Sequence, residues 1–325
     1  MKSFKQLILS VAAMSLCIAG TVCFAQAYPS KPMRLVVTYP PGGGSDVIGR
    51  TLAQKLTESF GQQMIVENRA GANGNIGTEY VARSAPDGYT LVLGNTGPLC
   101  ISPAIYSSIP YNSATDFAPI ALVASTPIIL VAHPSLPVKT VGDLVKLAKA
   151  RPGELHFASS GSGATSHLAG EMLKLMAHID MVHVPYKGVA PAITDVIAGQ
   201  VQLQFIDVSV VVNHIKSGRV HAIAWTGAKR GPAFPALPTV AESGYPGFDV
   251  TGWYGILAPA GTPKDVIGKL NAAIVKVINL PDTKQRFDAL GSIPITSTPE
   301  EFAAYIRDEL AKWAKVAKAA KLKVD

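Results

Sequence analysis

The sequence predicts an α/β protein of two domains, each a mostly parallel sheet flanked by helices, with a two-stranded hinge between them. Strand-like and helix-like runs alternate along the chain, which is how parallel strands linked by right-handed crossovers are written. The alternation pauses in a loop rich in proline and small residues, 97–119, and then restarts. A final helix-like run carries one apolar face that another element has to cover.

Met33–Thr38 is nearly all apolar, as in a strand covered on both faces. Val47–Phe60 places Ile48, Leu52 and Leu56 at helical spacing and stops at Gly61. Met64–Glu67, Asn75–Ser84 and Thr90–Leu93 continue as strand, helix and strand, completing βαβαβ. Ile120–Ser125 and Ile128–Ala132 read as strands. Thr140 caps a helix through Ala150, and Leu155–Ala158, Met181–Val184, Leu203–Ile206 and Val220–Trp225 read as strands. The runs His167–Met176, Pro191–Ala198 and Val210–Lys216 between them read as helices. After a proline-bearing loop, 231–247, come the strand Thr251–Ala258, two helices and a short extended run, Ile293–Thr296. In the last helix Thr298-Pro299-Glu300-Glu301 forms a capping box with proline at the first helical position. Phe302, Tyr305, Ile306, Leu310, Trp313 and Val316 make its apolar face. Docking that face on the first βαβαβ unit makes 28–125 plus 252–325 one discontinuous domain and 126–251 an inserted second domain. A cleft then lies between the carboxyl ends of the strands, where open α/β sheets bind ligands.

The first residues read as an export signal. Lys2 and Lys5 precede an apolar stretch, Leu7–Phe24, and Ala25-Gln26-Ala27 supplies a small-x-small site, so cleavage after Ala27 is expected. Two of the formal +7 charges belong to that signal, and Lys312, Lys315, Lys318, Lys321 and Lys323 crowd the last helix as a solvated face. No basic run carries interleaved aromatics, so nucleic acid is not an expected partner. Of the three cysteines, Cys17 and Cys23 fall within the signal; Cys100, between apolar neighbours, reads as a buried structural thiol.

Tyr39-Pro40-Pro41-Gly42-Gly43-Gly44-Ser45-Asp46 turns a strand into a helix. Glycines there leave backbone N–H groups free beside a helix N-terminus, which suits an anion, although a tight structural turn fits equally. Asp46 fits either a general base or a residue balancing the helix dipole. Similar loops run Ser159–Ser166, containing Ser160, Ala164 and Thr165, and Val184-Pro185-Tyr186-Lys187-Gly188. Lys187 fits an anion contact or a solvated lysine. Neither Ser45 nor Ser162 sits in Gly-x-Ser-x-Gly, and the seven histidines lack zinc-ligand spacing. No cofactor or metal is expected. His167, opening a helix beside the serine-rich loop, is the histidine to watch. A hydrolase using Ser45 or Ser162 with His167 is the weaker enzymatic reading.

The chain resembles the Bug receptors, the extracytoplasmic solute-binding components of tripartite tricarboxylate transporters. The likeness rests on the Tyr39–Asp46 loop, Val66-Glu67-Asn68-Arg69-Ala70-Gly71-Ala72-Asn73-Gly74-Asn75-Ile76-Gly77 and Ala85-Pro86-Asp87-Gly88-Tyr89-Thr90. It continues through Ser159-Ser160-Gly161 before His167-Leu168-Ala169-Gly170-Glu171, Val184–Gly188, Pro238-Thr239-Val240-Ala241-Glu242-Ser243-Gly244 and Trp253-Tyr254-Gly255. The resemblance implies a periplasmic-binding-protein fold, monomeric, closing on a small carboxylate without chemistry and delivering it to integral-membrane permease subunits. A ligand-loaded sensor docking on a signalling partner is the alternative. It further implies that Tyr39, Gly43, Gly44, Ser45 and Asp46 approach a ligand carboxylate from one domain. Ser159, Ser160, Ala164, Thr165, Tyr186 and Lys187 would face them, with Asn95, Thr96 and Asp207 placed by loop position.

Overall fold

The computed structural model describes residues 28–324, so the expected export signal lies outside the described residues. Along the chain run β1 (Met33–Val37), α1 (Gly44–Phe60), β2 (Met64–Asn68), α2 (Asn75–Ala82), β3 (Thr90–Asn95), α3 (Ser102–Ile105), β4 (Phe117–Thr126) and β5 (Ile128–Ala132). There follow α4 (Val141–Ala150), β6 (His156–Ser159), α5 (Thr165–Ala177), β7 (Val182–Pro185), α6 (Val189–Ile197), β8 (Leu203–Asp207), α7 (Val208–Lys216) and β9 (His221–Trp225). The chain finishes with β10 (Gly252–Pro259), α8 (Lys264–Ile278), α9 (Pro281–Ala289), β11 (Ile293–Pro294) and α10 (Pro299–Ala319).

The strands form a six-stranded sheet, β11-β4-β10-β3-β1-β2, and a five-stranded sheet, β7-β6-β8-β5-β9. β1 runs parallel to β2 and β3, as the alternation requires. β10, however, is antiparallel to both β3 and β4, and β11 is antiparallel to β4. In the second sheet β6 is parallel to β7 and β8, while β5 is antiparallel to β8 and β9. The expected mostly parallel sheets are therefore mixed. The antiparallel strands sit where the chain passes between the sheets. Pro127 alone separates β4 from β5, with no crossover helix to reverse the chain.

The two passages, at 126–128 and 250–252, lie side by side. Gly252 pairs with Thr126, and Val250 N donates to Thr226 O at 2.7 Å. The buried Thr226 hydroxyl reaches the carbonyls of Ile128 and Val250 at 3.0 and 2.6 Å. Such a paired crossing has the form of a hinge, in which two short segments can absorb a rotation.

α10 begins with the expected capping box, Thr298 and Glu301 bonding each other's backbone N–H groups. Phe302, Ile306, Trp313 and Val316 are buried, and the helix packs on β4 and α3. One residue departs from the apolar face. Glu309 is buried at 4% exposure and accepts from the indoles of Trp253 and Trp313 at 3.3 and 2.9 Å, with Lys312 as its ion-pair partner. Lys312 in turn donates to Asp249 O at 3.3 Å, which ties the last helix to the returning crossing. Cys100 is fully buried, and burial pushes its thiol well above the usual range, as expected of a structural cysteine.

Candidate functional site

The first strand carries the chain into the proline- and glycine-rich loop, and Asp46 fixes how that loop folds. α1 starts at Gly44, ahead of the expected Val47, so Ser45 and Asp46 belong to its first turn and both are buried. Asp46 Oδ2 accepts from Arg50 Nε at 2.9 Å and from Gly42 N at 3.0 Å, and Oδ1 accepts from Asn68 Nδ2 at 2.9 Å. The Arg50 hydrogen bond, with those from Gly42 and Asn68, holds the carboxyl at about 2 despite its burial. Asn68 also donates to Tyr39 O at 3.1 Å, binding the end of β2 to the loop.

A cavity of about 340 Å³ lies between the two sheets. From the six-stranded side it is lined by Tyr39, Asn73, Asn95, Thr96 and Gly97, and from the crossing by Thr126, Gly252, Trp253 and Tyr254. The other side contributes Ser160, Ala164, Thr165 and Ser166, then Gly188 and Val189, and finally Phe205, Ile206 and Asp207 at the end of β8. The first turns of α5 and α6 therefore open onto the cavity, and their free N–H groups and dipoles favour an anion.

Seven of the expected site residues meet there: Tyr39, Asn95, Thr96, Ser160, Ala164, Thr165 and Asp207. Gly43, Gly44, Ser45, Asp46, Ser159, Tyr186 and Lys187 do not line it. The reasons are local. Asp46 is engaged by its own loop, as described. Ser159 is fully buried, its hydroxyl 2.6 Å from His183 Nε2. Tyr186 turns its hydroxyl to Asp195 Oδ2 at 2.7 Å, and Lys187 is exposed.

Two cavity groups have polar atoms that the protein leaves available. Asn95 is 8% exposed; its Oδ1 accepts from Gly97 N at 3.0 Å, while its buried Nδ2 donates to no partner among the described residues. The Tyr39 hydroxyl lies 3.4 Å from each of Asn73 O, Asn73 Oδ1 and Asn95 Oδ1, long contacts with a single proton among them. Burial lifts Tyr39 to about 12, so it remains a neutral donor. Asn73 was missed as a site residue, although Ala72-Asn73-Gly74 carried a signal. All three adopt positive φ, at 45, 54 and 91°, a conformation that asparagine tolerates better than most side chains. The turn aims Asn73 Nδ2 across the cleft to Gly163 O at 3.3 Å.

His167 and His183 form a stacked pair behind the serine-rich loop, ring centroids 3.8 Å apart. His167 Nδ1 accepts from Gly163 N at 3.2 Å. Burial depresses both, His167 to about 3 and His183 to about 4, with each other's proximity and Lys174 acting in the same direction at His167. His167 makes no bond to Ser45 or Ser162 among the described residues, and Ser159, which does meet a histidine, is inaccessible. Among the described residues no group of His, Cys, Asp and Glu is arranged to hold a metal.

Two mixed α/β sheets flanked by helices, with a cleft between them, are the fold of a solute-binding receptor, the class to which the family and the structural neighbours belong. The chain belongs to the tripartite tricarboxylate transporter family receptors, whose family model matches residues 48–322. It is 39% identical over 302 residues to Protein BugT of Bordetella pertussis, covering 92% of this chain and 93% of that protein. Among solved structures it is similar to Rpa4515 of R. palustris with adipate, at TM-score 0.81 and 35% identity, covering 91% and 99% of the two chains. MatC (Rpa3494) from Rhodopseudomonas palustris with bound malate matches at TM-score 0.77 and 30% identity, covering 89% and 99%.

Proposed function

We propose that this receptor captures a small organic acid, most simply a dicarboxylate, in the cleft between its lobes outside the cytoplasmic membrane and hands it to the permease subunits of a tripartite transporter. The observation that carries the reading is the cavity itself. It combines the unpaired Asn95 amide, the Tyr39 hydroxyl and two helix N-termini, and among the described residues no lysine, arginine or histidine lines it. Recognition then runs through neutral donors, each charge-assisted hydrogen bond contributing ~1.5–3 kcal/mol. Adipate and malate in two related structures point to the same ligand class. Ligand contacts to both lobes favour the closed arrangement, and opening at the 126–128 and 250–252 crossings releases the cargo. Export after Ala27 and action as a monomer complete the reading.

Thermal-shift screening followed by calorimetry tests it against mono-, di- and tricarboxylates, amino acids and neutral sugars. A cognate acid at a hundred times its Kd stabilises the fold by ~2.7 kcal/mol. Stabilisation by sugars or cations with none by any organic acid overturns the assignment. Delivery is tested by whether cells lacking the receptor but retaining the permease lose uptake of the acid identified.

A further inference from the structure

The cavity assigned above to an organic acid already contains a carboxylate. Asp207 ends β8 and holds the N-cap position of α7, where an aspartate usually accepts a hydrogen bond from a helix amide. Its side chain makes no such bond and is exposed to the cavity instead. Ile128, its neighbour on β5, and Phe205 and Ile206 on its own strand give it an apolar surround. The titratable groups facing it are the phenols of Tyr254 on β10 and Tyr39 beyond β1, both raised by burial and therefore neutral. Among the described residues no lysine, arginine or histidine lines the cavity from any element; the helix N-termini, that of α7 beneath Asp207 and those of α5 and α6 across the cavity, are what favour an ionised form.

A dicarboxylate entering this space brings two negative charges towards a third, with no side-chain cation to balance them. Carboxylates enclosed together away from water do not all remain ionised; one of them takes a proton. We infer that Asp207 engages the ligand as a carboxylic acid, its O–H donated to one ligand carboxylate, so that capture of a dicarboxylate takes up one proton from solvent. The inference rests on the carboxylate-receptor reading. Desolvation against this apolar surround already raises the carboxyl to about 6. Above that pH the free receptor is ionised and must be protonated to bind, so affinity falls as pH rises; below it the proton is already in place and affinity levels off. Asp207 thereby becomes a specificity-determining residue. It favours an acid whose second charge lies opposite a hydrogen-bond donor.

Calorimetry on the mature chain with succinate, malate and adipate, all predominantly dianions between pH 6.5 and 8.5, decides the matter. Titrating the one that binds in two buffers of different ionisation enthalpy should give uptake of about one proton at pH 7.5. Its Kd should rise by up to tenfold per pH unit across that range. Asp207→Asn, whose amide donates without a proton, should remove the uptake, flatten the profile and bind more tightly than the wild type at pH 8.5. Zero uptake with a flat wild-type profile overturns the role of Asp207, as does uptake that survives in Asp207→Asn. Binding of aspartate at least tenfold tighter than succinate without proton uptake also overturns it, because an ionised Asp207 is then pairing with an ammonium group. The two-buffer measurement on the wild type stands even if the variant fails to fold. If no organic acid binds at any pH, the carboxylate reading falls and this role falls with it.

Discussion

Tyr39 and Asp46 stand seven positions apart in one loop and do different work. Tyr39 presents a weakly engaged hydroxyl to the cavity, whereas the Asp46 carboxylate is consumed by Gly42, Arg50 and Asn68. Tyr39→Phe should lower ligand affinity up to about tenfold while leaving unfolding within ~0.5 kcal/mol of wild type, since one hydrogen bond is lost without a cavity. Unchanged calorimetric affinity would remove the hydroxyl from the site. The stacked His167 and His183 set a pH dependence of stability. Their folded values of about 3 and 4 lie below the unfolded 6.5, so the unfolded chain gains protons that the folded one refuses, and stability falls as pH drops from 6.5 towards 4. Asp207, raised to about 6, acts in the opposite sense by one proton, which leaves a net uptake of roughly one proton on unfolding near pH 5. Melting temperature should therefore decline between pH 6.5 and 4.5, and less steeply in His183→Gln. A flat profile would mean that the pair is charged or solvated.

At the scale of elements, helix signals were readable because they are local. The Thr298 box and the Thr140 box are both formed as their residues predict. Thr298→Ala should cost ~1 kcal/mol, seen as a small drop in melting temperature with no change in affinity. Contacts between elements were not readable. Gly170 looks like an ordinary helix glycine, yet a Cβ there would lie 2.2 Å from Phe157 Cε2 on the strand beneath α5. Gly170→Ala should therefore destabilise by ~1–3 kcal/mol in chemical unfolding, despite alanine's better helix propensity. A stabilised variant would show that α5 shifts freely on its sheet. Glu309 escaped for a related reason. Its neighbours in sequence mark a solvated face, and only the indoles of Trp253 and Trp313 explain a buried carboxylate.

For the whole molecule the consequential contacts cross the cleft. Asn73 Nδ2 reaches Gly163 O from one lobe to the other, so it favours the arrangement in which the lips meet. Asn73→Gly keeps the positive φ accessible and removes the amide; a loss of ~1 kcal/mol from the closed state weakens apparent affinity about fivefold. Small-angle scattering should show a more open ligand-free population. Equal affinity and equal dimensions would reduce that bond to a surface contact. At the hinge, a Cβ on Gly252 would lie 2.2 Å from Thr126 Oγ1. Gly252→Ala should accordingly disturb both the crossing and the cavity it lines.

The sequence by itself determined the alternation of elements, the capped helices and the loops at strand ends, because each is written in short-range spacing and turn chemistry; the seven expected residues that meet in the cavity came from the family resemblance and from loop position. Strand direction, the inward turn of Asp46, Ser159 and Tyr186, and the approach of Asn73, Trp253 and Tyr254 were decided only by tertiary structure. Those outcomes depend on which hydrogen-bond partners and packing surfaces reach one another across long stretches of chain. Asp207 joins the two levels. Its place at the end of a strand is legible in the sequence, but a lone carboxylate in a cavity without a cation exists only once both lobes are folded around it.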